Sequence, residues 1–224
     1  MLMDETTLTG KHVLGLILAG GTSQRLGGGD KSLRPLGEHS ILHLVSSRLK
    51  PQLKHIVLSA NSDPLFFENF GYPVINDGTW HHSGPLAGIL AGCRHAKQLG
   101  CSHIMSVAAD TPFFPPDLLQ RLFQAKQQTN AEIIFARSDT GTHPTFALWP
   151  TTIAASLENW LTTSKRRSIR AFADNHSISY AVFDGVDSTS GLDPFFNINT
   201  RNELMLARSA WQIHNTDSYK QRDS

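Results

Sequence analysis

Two stretches of this chain combine residue types that could do chemistry. The first is Leu18-Ala19-Gly20-Gly21-Thr22-Ser23-Gln24-Arg25-Leu26-Gly27-Gly28-Gly29-Asp30-Lys31. Its glycines let main-chain amides approach a polyphosphate with no side chain in the way. Arg25 and Lys31 add the positive charge such an anion needs. The second is Asp110, placed between the apolar run HIMSVA and Thr111-Pro112. A carboxylate there either holds a hard divalent cation such as Mg²⁺, which prefers oxygen ligands, or caps the following turn. Placement alone leaves both open.

Two familiar phosphate motifs are excluded. A Walker loop ends in Gly-Lys-Ser/Thr, whereas Asp30 precedes Lys31, and the G-x-G-x-x-G dinucleotide fingerprint is not matched after the strand. The second exclusion disfavours a nicotinamide-binding protein. Glycine content by itself also fits a plain surface loop. The strand before this loop and the basic residues inside it favour phosphate binding.

Other chemistries find little support. Cys93 and Cys101 form no CxxC pair and belong to no zinc-spaced cluster, so reduced, buried thiols are expected. The His81-His82 pair has no matching ligand set. The net charge of +1 and pI of about 7.9 advertise neither a nucleic-acid nor a membrane surface. The opening MLMDETTLTGKH lacks the apolar core of a secretory signal, and no apolar stretch approaches the roughly 18–20 residues of a membrane span. The expected compartment, by elimination, is the cytoplasm.

The elements that must position these residues follow from hydrophobic periodicity. Short apolar runs predict strands at 13–18, 55–59, 72–75, 103–108, 131–136, 145–149 and 178–183. Helical stripes, caps and glycine stops predict helices at 40–49, 61–70, 85–98, 116–126, 152–161, 167–173 and 200–213. Strand and helix alternate from residue 13 to about 136, which implies a mostly parallel, mixed central sheet covered on both faces, an α/β three-layer fold. In such sheets ligands lie beyond the carboxyl ends of the strands, and Gly20 and Asp110 fall at such ends. The expected organisation is a single domain over 1–214, in which the alternating part at 13–136 is followed by a second part at 137–214, with a polar tail at 215–224.

The glycine-rich run resembles the signature loop of sugar- and cofactor-nucleotidyltransferases. Its Asp30-Lys31 ending after several glycines is closer to the molybdenum cofactor guanylyltransferases. Further stretches resemble that family: Ser83-Gly84-Pro85-Leu86-Ala87-Gly88-Ile89, Asp110-Thr111-Pro112-Phe113-Phe114-Pro115-Pro116-Asp117, His143-Pro144-Thr145, the basic Lys165-Arg166-Arg167, and Asp193-Pro194-Phe195-Phe196-Asn197-Ile198-Asn199-Thr200. The matches run from about 13 to 204. The chain has Leu26 where the family often has Met, a volume-conserving exchange.

The resemblance implies a Rossmann-like nucleotidyltransferase fold and GMP transfer from GTP to molybdenum-bound molybdopterin, with Mg²⁺ as cofactor. Loop residues Leu18, Ala19, Gly20 and Gly21 would hold the triphosphate, Arg25 and Lys31 its charge, and Asp110 the metal. Asp77 would meet base or ribose together with Ser59 or Asn61, Ser59 standing where the family has Asn. His143, Arg166, Asn197 and Asn199 would face the acceptor. Arg166, Arg170 and Asp174 are spaced as one helix face and could equally form a solvated charged surface. Implied partners are GTP, the molybdopterin cofactor, and proteins that carry molybdopterin or receive the product. A related transferase using CTP or another NTP, or a non-catalytic GTP-binding adaptor for cofactor insertion, would share most of these residues.

Overall fold

The computed structural model describes residues 10–19, 30–80, 83–184 and 191–220. Its centre is a seven-stranded mixed sheet. The strands are β1 (Val13–Leu18), β4 (His55–Ser59), β5 (Val74–Ile75), β6 (His103–Ala108), β7 (Ile133–Ser138), β8 (Gly141–Pro150) and β9 (Ile178–Phe183), ordered β5-β4-β1-β6-β8-β7-β9. A separate two-stranded hairpin, β2 (Pro35–Leu36) with β3 (His39–Ser40), follows the glycine-rich loop. β1, VLGLIL, is apolar at nearly every position because it is paired on both edges, with β4 and β6, and covered on both faces. β8 alone runs antiparallel to its neighbours, so the sheet is mostly parallel, as predicted.

Helices α1 (Ile41–Leu49) and α3 (Leu118–Thr129) cover one face, where Leu42, Val45, Leu49, Leu118 and Leu122 meet Val13, Ile17, Met105 and Leu148. The other face is covered by α2 (Pro85–Gln98), α4 (Ala154–Thr163) and α5 (Ile169–Ala173), which pack Leu86, Leu90, Leu157 and Phe172 on Leu14, Leu16, Ile104 and Trp149. Trp149 meets Phe135 edge-on at 5.5 Å, and its indole N–H donates to Ser106 Oγ at 2.9 Å. The one polar atom that this ring brings into the core is thereby satisfied. Both cysteines are buried and unpaired, and burial pushes the Cys93 thiol up to about 12, which suits an inert core residue.

The final helix, α6 (Arg201–Lys220), leaves the sheet and lies on the β2–β3 hairpin. Leu204 and Ala207 pack on Leu36, Ile41 and Leu44, and Arg208 donates to the Pro35 carbonyl at 3.1 Å. At Gly37 (φ +67°) a Cβ would lie 2.4 Å from Trp211 Nε1, so only glycine lets the hairpin tip come this close to α6.

The β1, β4, α2, β6 and β9 spans are as predicted. Elsewhere boundaries move for local reasons. Residues 61–70 form only a 3₁₀ turn from Pro64, capped by Asp63. β5 shortens to two residues. α3 starts at Leu118 because Pro115-Pro116 disfavours an earlier helical turn, and it ends on Asn130 at φ 49°. α5 starts after Ser168, whose hydroxyl accepts from the Ala171 amide at 3.2 Å. Arg166 therefore precedes the helix and does not share a helical face with Arg170. α6 continues seven residues past the predicted end at Ile213, to Lys220. Among the described residues no helix is long and apolar enough to cross a membrane.

Candidate active site

Register sets the working rim of the sheet. Leu18 is level with Ser59 on one side and Ala108 on the other, and Ser59 is level with Ile75. The parallel strands thus end together, and the residues just beyond them, Ala19, Asn61, Asp77 and Asp110, emerge along one edge. Two main-chain bonds tie the exits: the Ala19 amide to the Ser59 carbonyl at 2.9 Å, and the Ala109 amide to the Leu18 carbonyl at 3.1 Å.

At the β1–β6 end of this rim lies a cluster around Lys31. Asp30 caps the short turn Lys31–Leu33, its carboxylate accepting from the Ser32 amide at 2.9 Å and the Ser32 hydroxyl at 2.7 Å. The Lys31 ammonium pairs with the Asp110 carboxylate and donates to Asn199 Oδ1 at 2.5 Å. Asp110 is only 7% exposed, and its own carbonyl accepts from the Ile198 amide at 3.0 Å. A small pocket of about 50 Å³ lies here, bounded by Leu18 and Ala19 where the glycine-rich run begins, by Asp30 to Ser32 where it ends, and by Asp110. Both ends of the run thus meet Asp110. Gly20, Gly21 and Arg25 lie outside the described residues, as do His81 and His82.

At the β4–β5 end, Ser59, Asn61 and Asp77 form one hydrogen-bonded group. Ser59 Oγ donates to Asp77 Oδ1 at 3.1 Å, Asn61 Nδ2 donates to Asp77 Oδ2 at 2.7 Å, and the Asp77 amide donates to Asn61 Oδ1 at 3.2 Å. Both serine and asparagine therefore brace the carboxylate. Beside it opens a cleft of about 250 Å³, walled by Asp77, Trp80 and Arg94 among others. Helix α2 starts here after Gly84 (φ +68°). A Cβ at Gly88 would fall 2.4 Å from Ser59 Oγ, so the glycine of the Gly-Pro-Leu-Ala-Gly turn lets the helix rest on this group.

The C-terminal candidates divide. His143, on β8, stacks on Phe195 with centroids 4.4 Å apart, and its Nε2 is 2.7 Å from Ser138 Oγ. Burial lowers its pKa, with Asp193 opposing and Arg170 adding to the shift. Ser138 and Thr140 donate to Asp193 Oδ2 at 2.6 and 2.7 Å, and the Phe195 amide donates to Oδ1 at 2.7 Å. Burial alone would raise the Asp193 carboxyl, but these hydrogen bonds together hold it below the ordinary range. Asn199 joins the Lys31 cluster, whereas Asn197 is exposed, and the two stand on irregular chain and not on a strand. Arg166 is exposed in the turn before α5, with its carbonyl accepting from Trp160 Nε1 at 2.9 Å.

Ser138, Thr140 and Glu203 were not singled out from sequence, and Asp193 was named only as the head of a motif. Ser138 and Asp193 meet across 55 positions, which no local pattern announces. Glu203 was readable: Thr200-x-x-Glu203 is a capping-box spacing. Its Oε2 accepts from the Asn199 and Thr200 amides at 2.8 and 2.7 Å, and its amide donates back to Thr200 Oγ1 at 3.2 Å.

Among the described residues no three His, Cys, Asp or Glu side chains gather as a metal set. Asp110 stands as one carboxylate on the wall of the pocket beside Lys31. That donor set fits a cation such as Mg²⁺, which takes one or two carboxylates and completes its shell with substrate phosphates and water.

This fold, with a lysine–carboxylate pair at the rim and a braced second carboxylate further along, is that of a nucleotidyltransferase. The family model described as the MobA-like NTP transferase domain matches residues 15–178, and the chain belongs to that family. It is 44% identical to a molybdenum cofactor guanylyltransferase of Mesorhizobium japonicum over 88% of this chain and 95% of that one. A protein of the same name from Rhizobium meliloti is 43% identical over 88% and 90%. Among solved structures, molybdopterin-guanine dinucleotide biosynthesis protein A from Archaeoglobus fulgidus superposes with a TM-score of 0.68 at 23% identity, covering 88% of this chain and 97% of that one. At that identity the likeness speaks for the fold alone.

Proposed function

We propose that the protein works in molybdenum cofactor biosynthesis and transfers GMP from GTP to molybdenum-bound molybdopterin, releasing pyrophosphate. The observation that carries this reading is the joining of Lys31 and Asp110 at the mouth of the glycine-rich run, in a chain over 40% identical to proteins named for this activity. The terminal phosphate of molybdopterin attacks the α-phosphorus of GTP, forming the new P–O bond as the bond to pyrophosphate breaks. A phosphate monoester has its second pKa at about 6, so the nucleophile is already largely dianionic at neutral pH and needs no general base. The work left to the protein is to bring two anions together and stabilise the leaving pyrophosphate.

The roles follow from that demand. Amides of Gly20 and Gly21 hold phosphate oxygens, while Leu18 and Ala19 wall the pocket below them, because Leu18 lies within the β1 ladder and the Ala19 amide is already given to the Ser59 carbonyl. Lys31 and Arg25 neutralise charge on the leaving group. Asp110 would hold Mg²⁺, which supplies electrostatic stabilisation of the phosphates when bound. Asp77, braced by Ser59 and Asn61, meets the base or ribose from one polar group. The part from 137 to 214, with His143, Arg166, Asn197 and the Asp193 network, serves the acceptor, and residues 1–214 act as one domain. Reaction in the cytoplasm, with proteins that carry molybdopterin or receive the product, suits this role.

Pyrophosphate release measured side by side with GTP, CTP and ATP, with and without molybdopterin, tests the reading. Release with GTP only, and only with the acceptor, is the expected result. A preference for CTP would make the protein a sister transferase. Nucleotide binding with no release would make it an adaptor.

A further inference from the structure

The last helix reaches the Lys31 cluster through Glu203, which accepts from the amide of Asn199, the residue whose side chain meets Lys31. We propose that Glu203 is a positioning residue: its carboxylate holds the backbone of Asn199 so that the Asn199 side-chain carbonyl keeps Lys31 aimed at the phosphate pocket. The proposal deepens the reading of Lys31 as a phosphate-binding group and rests on it.

A capping box requires the glutamate to reach the amide of the cap residue, and Glu203 does so at Thr200 with a 2.7 Å bond. It also takes the amide of Asn199, one residue before the cap, on the same oxygen at 2.8 Å. Helix capping does not ask for that second bond. It fixes the residue whose Oδ1 receives the Lys31 ammonium at 2.5 Å. Asp110 is the other anchor of that ammonium. A carboxylate shared with a cation is a poor sole anchor for a flexible lysine, whereas a neutral amide carbonyl leaves the carboxylate available. The chain before Asn199 is pinned independently, through the Ile198 amide on the Asp110 carbonyl at 3.0 Å. Burial would raise the Glu203 carboxyl, but the amides and hydroxyl of the Asn199–Thr200 segment and the charge of Lys31 hold it below the usual range, so it remains a full acceptor at neutral pH.

The test is calorimetric titration of the full chain with magnesium pyrophosphate, which carries no base and needs no acceptor. Glu203→Ala is expected to weaken binding about tenfold, the effect of losing one charge-assisted hydrogen bond. Glu203→Gln, which can still accept both amides, should recover most of the loss. Thr200→Val breaks the reciprocal capping bond but spares the Asn199 contact, and should bind within about twofold of the parent chain. In a Lys31→Ala background Glu203→Ala should change nothing further, because both act through one group. If Glu203→Ala does not fold, Asn199→Ala carries the same expected loss with the helix cap intact. The proposal is overturned if Thr200→Val weakens binding as much as Glu203→Ala, if neither Glu203→Ala nor Asn199→Ala has an effect, if the losses add in the Lys31→Ala background, or if the parent chain does not bind. Failure of the GMP-transfer reading looks different: no dinucleotide product with GTP and molybdopterin, while the pyrophosphate affinities still follow this order.

Discussion

Lys31 and Asp110 are the residues whose loss should be felt most. In the proposed reaction the lysine would act on charge that grows as pyrophosphate leaves, where a preorganised donor matters more than in solvent. Lys31→Ala is expected to lower kcat by about 10²–10³-fold, or ~3–4 kcal/mol, the range seen for single preorganised electrostatic groups. Asp110→Ala should abolish turnover with the fold intact by circular dichroism. Removing this carboxylate leaves Lys31 hydrogen-bonded to Asn199 and 20% exposed, so its charge keeps contact with solvent. Near-normal rates for Asp110→Ala at saturating Mg²⁺ would remove Asp110 from the mechanism. The types and spacing of these two residues were legible in sequence. Their mutual pairing was not, because 79 positions of chain separate them and only the β1–β6 register brings them together.

At the scale of elements, α2 rests against the Ser59–Asn61–Asp77 group at Gly88. Gly88→Ala places a methyl 2.4 Å from Ser59 Oγ and 2.9 Å from a Leu18 methyl. Overpacking costs roughly 1–3 kcal/mol, while alanine in a helix interior regains about 1 kcal/mol over glycine. The net stability change should be small, because Ser59 can rotate away, and that rotation gives up its bond to Asp77. Gly88→Ala is therefore expected to raise KM for the nucleotide several-fold with kcat and melting temperature little changed. A large fall in melting temperature with unchanged KM would show that the contact is only structural. The Gly-Pro-Leu-Ala-Gly turn was visible in sequence, as were the strand and helix spans on either side of it. The partner that makes Gly88 necessary was not, since Ser59 belongs to an element 29 residues away.

For the whole molecule, acid sensitivity should originate far from the site. His103, at the opposite end of β6 from Asp110, has its pKa lowered to about 4, chiefly by burial and secondly by the charge of Lys126. Among the described residues its Nε2 is buried without a hydrogen-bond partner, while Ser102 Oγ lies 3.0 Å from Nδ1. The unfolded chain takes up this proton near the ordinary value of 6.5, and the folded chain does not until about 4. The stability contribution is therefore complete above pH 6.5 and falls away as the pH drops toward 4, by about 3 kcal/mol in all. His143, also lowered, adds to the same limb. Urea midpoints for the parent chain and His103→Gln between pH 7 and 5 check this. The variant should lose distinctly less stability over that interval, and parallel curves would count against the assignment.

The alternation of apolar runs with helical stripes was enough to establish an α/β sheet, because the side-chain periods of strand and helix are local properties of the chain. The glycine-rich run with its basic residues, and a carboxylate at a strand end, were likewise plain from residue type and spacing. Tertiary structure decided which of those groups meet. It bound both Ser59 and Asn61 to Asp77, moved Asn199 beside Lys31, removed Arg166 from the α5 face, and tied His143 to Asp193 through Ser138. Such pairings depend on strand register and helix docking, which are settled by burial summed over the whole core and leave no mark in any short window of residues.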